Sequence, residues 1–189
     1  MGFDETVIHC SAPALCGIKP ASLFSMDGEC FLRGKERFSQ WRREFSKANR
    51  YFVPIKKSDG RILFFVFDKN LLQKVFMDKR NLNYLKKKGY AVEKGFSSIL
   101  SELICRLRCD DDFPHEVGLF LGYPLCDVIG FELNRTGFKY SGFWKVYGNL
   151  EEAERKMKLY KTCSEICMKW LNLGLSVPNT AKKYEETGV

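Results

Sequence analysis

Hydrophobic alternation is clearest near the middle of the chain. Tyr51–Lys57 (YFVPIKK) and Arg61–Phe67 (RILFFVF) are rich in β-branched and aromatic residues and are joined by Ser58-Asp59-Gly60. An Asp-Gly pair between two such runs is a favoured hairpin turn. Pro54 has no amide hydrogen to give to a ladder, so the first strand is expected at a sheet edge or bulged there. Beyond it the spacing becomes helical. Asp68 suits an N-cap, and Leu71, Leu72, Val75, Phe76, Leu82 and Leu85 form one apolar stripe ending in Lys86–Lys88 and Gly89. A second helix is expected from Ser97 or Ser98, with Ile99, Leu100, Leu103, Ile104 and Leu107 on one face, stopping before Asp110–Asp112.

Phe113–Phe131 (FPHEVGLFLGYPLCDVIGF) predicts two short helices, with Pro114 and Pro124 near their first turns and Gly122 between them. Tyr140–Tyr147 (YSGFWKVY) predicts a strand. Asn149 and Glu152 then open a long helix that buries Ala153, Met157, Tyr160, Cys163, Cys167, Trp170 and Leu171. Strands and helices do not alternate regularly, which argues against a parallel α/β sheet. The expectation is an α+β fold: a small antiparallel sheet including the hairpin at about 51–67, packed with several helices and a long C-terminal helix. A chain of 189 residues suits a single domain, here expected over residues 1–178, with a polar tail at 179–189 that frays.

Composition narrows the classes. With 45% hydrophobic and 14% aromatic residues, a core forms without disulfide or metal staples. No apolar run approaches the roughly 18 residues of a membrane span. The start, MGFDETVIHC, carries two acids and no basic flank, unlike a secretory signal. A cytoplasmic, membrane-free location is expected, with the eight cysteines as thiols. Cys105 and Cys109, and again Cys163 and Cys167, lie four apart in helical stretches, so each pair shares a face. Such a pair can ligate a metal, although burial as a small hydrophobe is commoner.

Charge is unevenly spread. Residues 33–108 hold 20 basic and 7 acidic residues, a net of +13, while the rest of the chain is net −5. That basic region is a candidate surface for RNA or an acidic partner. Within it, Arg33–Arg50 (RGKERFSQWRREFSKANR) mixes cations with Phe38, Trp41 and Phe45. Helical spacing of those aromatics favours a buried stripe with the arginines solvated.

The two histidines, His9 and His115, each have a chemically capable neighbour, Cys10 and Glu116. Brought together, His9, Cys10, His115 and Glu116 would make a ligand set for iron or zinc, or a histidine pair for haem. The same residues can supply a thiol nucleophile and general acid–base catalysis, with His115 and Glu116 as the catalytic candidates. The plainer reading has Glu116 satisfying a helix N-terminus and His115 packing locally. Gly118, Gly122 and Gly130 lack the spacing of a nucleotide loop.

FPHEVGLFLGYPLCDVIGF, followed by GFWKVYG and a helix with YKTC, resembles the bacterial family of domain of unknown function 3793. The N-terminal HCSAPALCGIKPASLFS is similar to that family's opening motif. The resemblance implies an intracellular bacterial protein and supplies no reaction. It places His9, Pro13, Leu15, Lys19, His115, Glu116, Gly122, Tyr123, Pro124, Asp127, Gly130, Trp144, Lys145 and Tyr147 at characteristic positions. Ala14 stands where the family pattern expects Thr, and Cys126 where it expects an acid. The family is loosely associated with iron-handling and flavodoxin gene neighbourhoods.

Three functions compete. One is a small-molecule, metal or haem-binding protein or enzyme with a site between the His9 and His115-Glu116 segments, where His9, Lys19, Tyr123, Lys145 and Tyr147 contact the ligand. Another is a binding module for RNA or an acidic protein using the basic region. The third is a structural or regulatory adaptor without catalysis. Burial of His115 separates them: an enclosed ring favours the adaptor, and a ring facing a cleft favours a ligand site.

Overall fold

The computed structural model describes residues 1–57, 59–109, 113–134 and 136–188. Ser58 of the hairpin turn and the acidic run at 110–112 lie outside the described residues. The fold is α+β, mostly helical, with a small antiparallel sheet. Its contacts group into two compact units, Met1–Leu71 with Lys158–Val189, and Leu72–Met157.

In the first unit, α1 (Phe3–Leu15) leads into β1 (Ala21–Asp27), α2 (Gly28–Lys47), β2 (Arg50–Lys56) and β3 (Arg61–Asp68). Asp4 and Glu5 occupy the first turn of α1, and Glu5 accepts a hydrogen bond from the Gly2 amide at 2.8 Å. The acids at the chain start therefore serve a helix N-terminus. The three strands run in the order β1-β3-β2, every pairing antiparallel, which puts Pro54 on an edge strand. Central β3 is covered on both faces, and Phe64, Phe65 and Val66 are all fully buried. Phe64 stacks on Phe24 at 5.3 Å and meets Phe38 edge-on at 5.6 Å. Trp41 stacks on Phe3 at 5.4 Å. The aromatics of the basic segment are thus core, and Arg42 and Arg43 stay on the exposed face of α2.

The same unit holds the later part of α8 (Leu150–Asn172) and the whole of α9 (Val177–Thr187). Residues 179–189 were expected as a frayed tail, but most of them belong to α9. Val177, Ala181 and Tyr184 recur at i, i+4 and i+7, and that apolar face is buried in the core.

In the second unit the single helix expected after Asp68 is two. Helix α3 (Lys69–Val75) stops where the Asn81 side chain donates to the Val75 carbonyl at 2.8 Å. Asp78 then caps α4 (Lys79–Lys87) by accepting from the Arg80 amide at 2.8 Å. A 3-10 turn at Val92–Lys94 precedes α5 (Phe96–Arg108), which buries Ile99, Leu103 and Leu107. Two short helices follow as expected, α6 (Val117–Phe120) and α7 (Leu125–Glu132). Tyr140–Tyr147 is a tight hairpin, β4 (Tyr140–Ser141) paired with β5 (Lys145–Val146), because the chain reverses through Gly142.

Buried Asp127 ties α7 to this hairpin. One carboxylate oxygen accepts the Tyr147 and Gly148 amides, each at 2.8 Å, and the other accepts the Trp144 indole N–H at 2.8 Å. Tyr123 stacks on the same indole at 4.6 Å. Gly130 lets the Tyr147 ring lie directly against α7, since a Cβ there would fall 2.6 Å from ring carbons.

Candidate metal centre

Three cysteine thiols converge inside the first unit. Cys16 sits at the C-terminal cap of α1, and Cys163 and Cys167 lie one turn apart on α8. Their sulfurs all fall within 4.8 Å of one another, and those of Cys16 and Cys167 are 3.6 Å apart. Cys163 and Cys167 are fully buried, and Cys16 is 4% exposed. Among the described residues, no carboxylate or imidazole joins the group within that distance.

Local sequence explains the convergence. Pro13 tolerates the last turn of α1, and its carbonyl accepts the amides of Ile18 and Lys19, each at 3.0 Å, which folds the chain back after Cys16. Gly17 takes a φ of +70°, and a Cβ there would lie 2.5 Å from the Arg50 guanidinium. That guanidinium is itself buried, paired with Asp68 at 3.3 Å and with Glu185 on α9. The turn carrying Cys16 is therefore held between α1 and a buried ion pair.

The thiols do not share charge equally. Hydrogen bonds from Cys16 and then Cys163 hold Cys167 well below the usual thiol range, against the opposing effect of burial. Cys16 is pushed up by its hydrogen bonds to Cys163 and Cys167, and further by burial. Cys163 is pulled down by Cys16, yet Cys167 and burial raise it on balance. The three sulfurs lie in an otherwise apolar core, where burial opposes ionisation of each.

Tyr184 closes the site. Its hydroxyl is enclosed and makes no conventional hydrogen bond, although the residue is only 2% exposed. Burial, followed by the nearby Cys163, pushes its ionisation up to about 12. Its polar neighbour is the Cys163 sulfur, a weak acceptor.

Lys19 is in the same unit. Its ammonium lies 5.6 Å from the centre of the Tyr160 ring, one helical turn before Cys163, and burial lowers its pKa to about 8. By solvent accessibility the side chain is only half-buried, so the shift carries less energy than a fully enclosed lysine would. His9 is on the exposed face of α1, and Cys10 beside it is partly covered, with its thiol raised by burial.

The other expected site residues belong to the second unit. Glu116 is buried and accepts from the Tyr90 hydroxyl and from Arg106, each at 2.9 Å. The Arg106 guanidinium lies 4.3 Å from the centre of the Tyr90 ring. His115 is exposed, edge-on to Phe113 at 6.1 Å and Phe131 at 5.3 Å. It lines a cleft of about 380 Å³ together with Lys88, Arg106, Cys109, Glu116 and Glu132. Lys145 packs its ammonium over Phe131 and Phe138 at 5.6 and 5.2 Å. Tyr123 and Tyr147 are engaged in the Asp127 assembly. The third member of the thiol cluster, Cys16, went unnoticed in the sequence. Its signal there is weak: a cysteine beside a Gly-containing turn, 151 residues from Cys167.

The family model described as "Protein of unknown function (DUF3793)" matches residues 7–180. No curated protein and no solved structure matches the chain. No helix is long and apolar enough to cross a membrane, among the described residues.

Proposed function

We propose that this chain, which belongs to the DUF3793 family of unknown function, is a metal-binding protein that holds one ion on the sulfurs of Cys16, Cys163 and Cys167. The convergence of three buried thiols within 4.8 Å carries the reading. Tetrahedral coordination with metal–sulfur bonds of about 2.3 Å sets sulfur–sulfur separations near 3.8 Å, and a trigonal arrangement sets about 4.0 Å. The observed spacing brackets both, so one ion fits with little movement.

The site is closed. A catalytic ion keeps an open position for water or substrate, whereas a structural or sequestered one is enclosed by protein. The role is therefore retention of an ion, with α1 joined to α8 across most of the sequence. Ion binding should raise the stability of this unit, because the unfolded chain offers no preformed site.

Native mass spectrometry with elemental analysis tests this on reduced protein purified without a histidine tag. One ion per chain is expected, lost in Cys163→Ser and Cys167→Ser and retained in His9→Ala and His115→Ala. Metal that survives both cysteine changes and disappears with both histidine changes would return the site to the histidine segments.

A second reading rests on His115, whose exposed ring faces the cleft beside buried Glu116. That cleft is large enough for a small polar ligand, with Arg106 and Lys88 for an anionic group and His115 for proton transfer. Lys88 is ion-paired with Glu132 and Arg106 with Glu116, so a ligand must compete for both cations. A small-molecule screen read by the His115 ring resonances tests it, and a ligand that shifts them in wild type but fails to bind His115→Ala is the expected result.

A further inference from the structure

We infer that the three-cysteine site selects monovalent copper, held trigonally by sulfur alone, over zinc. This rests on the thiol-site reading above and specifies its ion. Three observations converge on it.

The first is ligand number and type. Three sulfurs come together, and no described carboxylate or imidazole lies close enough to supply a fourth donor. Zinc in a closed protein site is almost always four-coordinate. Cuprous copper is satisfied by soft thiolate donors and does not require a hard ligand to complete its shell.

The second is enclosure. With Cys163 and Cys167 fully buried and Cys16 nearly so, water does not complete the shell either. A divalent ion would have to recruit its fourth ligand by opening the packing among α1, α8 and α9.

Binding is a simple exchange: Cu⁺ bonds to the three sulfurs as thiolates, each displaced thiol proton leaves to solvent, and no electron is transferred.

The third is Tyr184. Its enclosed hydroxyl lacks a conventional partner and stands beside Cys163. Once Cys163 is a copper-bound sulfur with more negative charge, that O–H has a stronger acceptor. A neutral phenol donating to a ligand sulfur is the outer-shell contact that orients and tunes a thiolate site.

The test uses the full chain, reduced and handled without oxygen, with Cu⁺ presented as its bicinchoninate complex and zinc presented with a chromophoric chelator. One Cu⁺ per chain is expected, with X-ray absorption reporting three sulfur neighbours and no nitrogen or oxygen. Cu⁺ should displace zinc from a zinc-loaded sample. A variant with Cys10, Cys30, Cys105, Cys109 and Cys126 changed to serine should retain the site, whereas Cys167→Ser should lose it. Tyr184→Phe, checked for folding by circular dichroism, should weaken Cu⁺ binding by roughly 10–100-fold, the usual cost of losing an outer-shell partner. Zinc held by four ligands and not displaced by Cu⁺ would overturn the copper assignment while leaving the thiol site standing. Failure to hold either ion, or Cu⁺ held only by the five other cysteines, would overturn both.

Discussion

Changing Asp127 to Asn removes one charge and one hydrogen-bond acceptor while leaving shape almost untouched. In the native fold one oxygen of Asp127 takes two backbone amides and the other takes the Trp144 indole N–H, all at 2.8 Å. Asn keeps one oxygen, which can still serve Tyr147 and Gly148, but it then turns an NH₂ toward the indole donor. Two costs follow. An enclosed indole N–H without an acceptor costs about 1–3 kcal/mol, and the two remaining bonds lose the extra strength of a charged acceptor. With Asp127 only 2% exposed, water cannot relieve either loss. The expected destabilisation is about 3 kcal/mol, which moves a urea midpoint by about 1 M at the slope usual for a domain of this size. Native-state hydrogen exchange at the Tyr147 and Gly148 amides reads the same change locally. Adding Trp144→Phe removes the orphaned donor, so the double variant should lose about 1 kcal/mol less than the two single losses summed. A midpoint unchanged by Asp127→Asn, or strict additivity with Trp144→Phe, would refute the view that this carboxylate holds the hairpin to α7.

Two further outcomes follow from charges in the first unit. Arg50→Met should cost about 3–5 kcal/mol, because it leaves the buried Asp68 carboxylate without its cation. Adding Asp68→Asn should recover part of that loss in the same denaturation assay. Lys19→Met should stabilise the fold by about 1 kcal/mol at pH 7, a figure reduced for the partial exposure of the side chain. The sign follows from a folded pKa of about 8 against an ordinary 10.5. Below the lower value the folded protein bears the full penalty of a buried ammonium. Between the two values the unfolded chain binds more protons, so wild-type stability rises with pH, and the advantage of Lys19→Met should vanish by the upper value. A gain independent of pH would point to packing rather than desolvation.

The hairpin was legible because its signals are local: alternation, an Asp-Gly turn, and a proline that fits only an edge. The long helix from Leu150 was equally plain, since Asn149 caps it by accepting the Glu152 amide at 3.2 Å. Breaks within helices were harder to see. The stripe from Leu71 to Leu85 keeps helical phase across Asp78, so only the competing cap at that residue ends α3, and caps are weak features in an otherwise continuous pattern. Residues 1–32 gave no element at all. Helix α1 contains Pro13, and β1 alternates buried and exposed positions only from Phe24 to Asp27, a short run. The motif around 113–147 was recognised as a signature. Its physical content, Asp127 joined to the Trp144-to-Gly148 segment, emerges only when the two stretches are placed side by side.

The cysteines show what sequence spacing decides and what it leaves open. Cys105–Cys109 and Cys163–Cys167 share the same i, i+4 interval, yet the first pair is exposed and the second is buried. The difference is phase. On α5 the buried stripe runs through Ile99, Leu103 and Leu107, so Cys105 is two residues out of step and points away from the core. On α8 the stripe runs through Tyr160, Cys163 and Cys167, so the thiols themselves are the stripe. Helical periodicity alone was therefore enough to prefer one pair over the other as a buried site. It was not enough to name the third thiol. Cys16 is brought to the pair by a chain reversal at Gly17 braced against Arg50, a contact between residues far apart in sequence. A buried i, i+4 thiol pair with one more thiol beside it has the donors of a closed metal site, and the unsatisfied hydroxyl of Tyr184 adds a donor positioned to tune it.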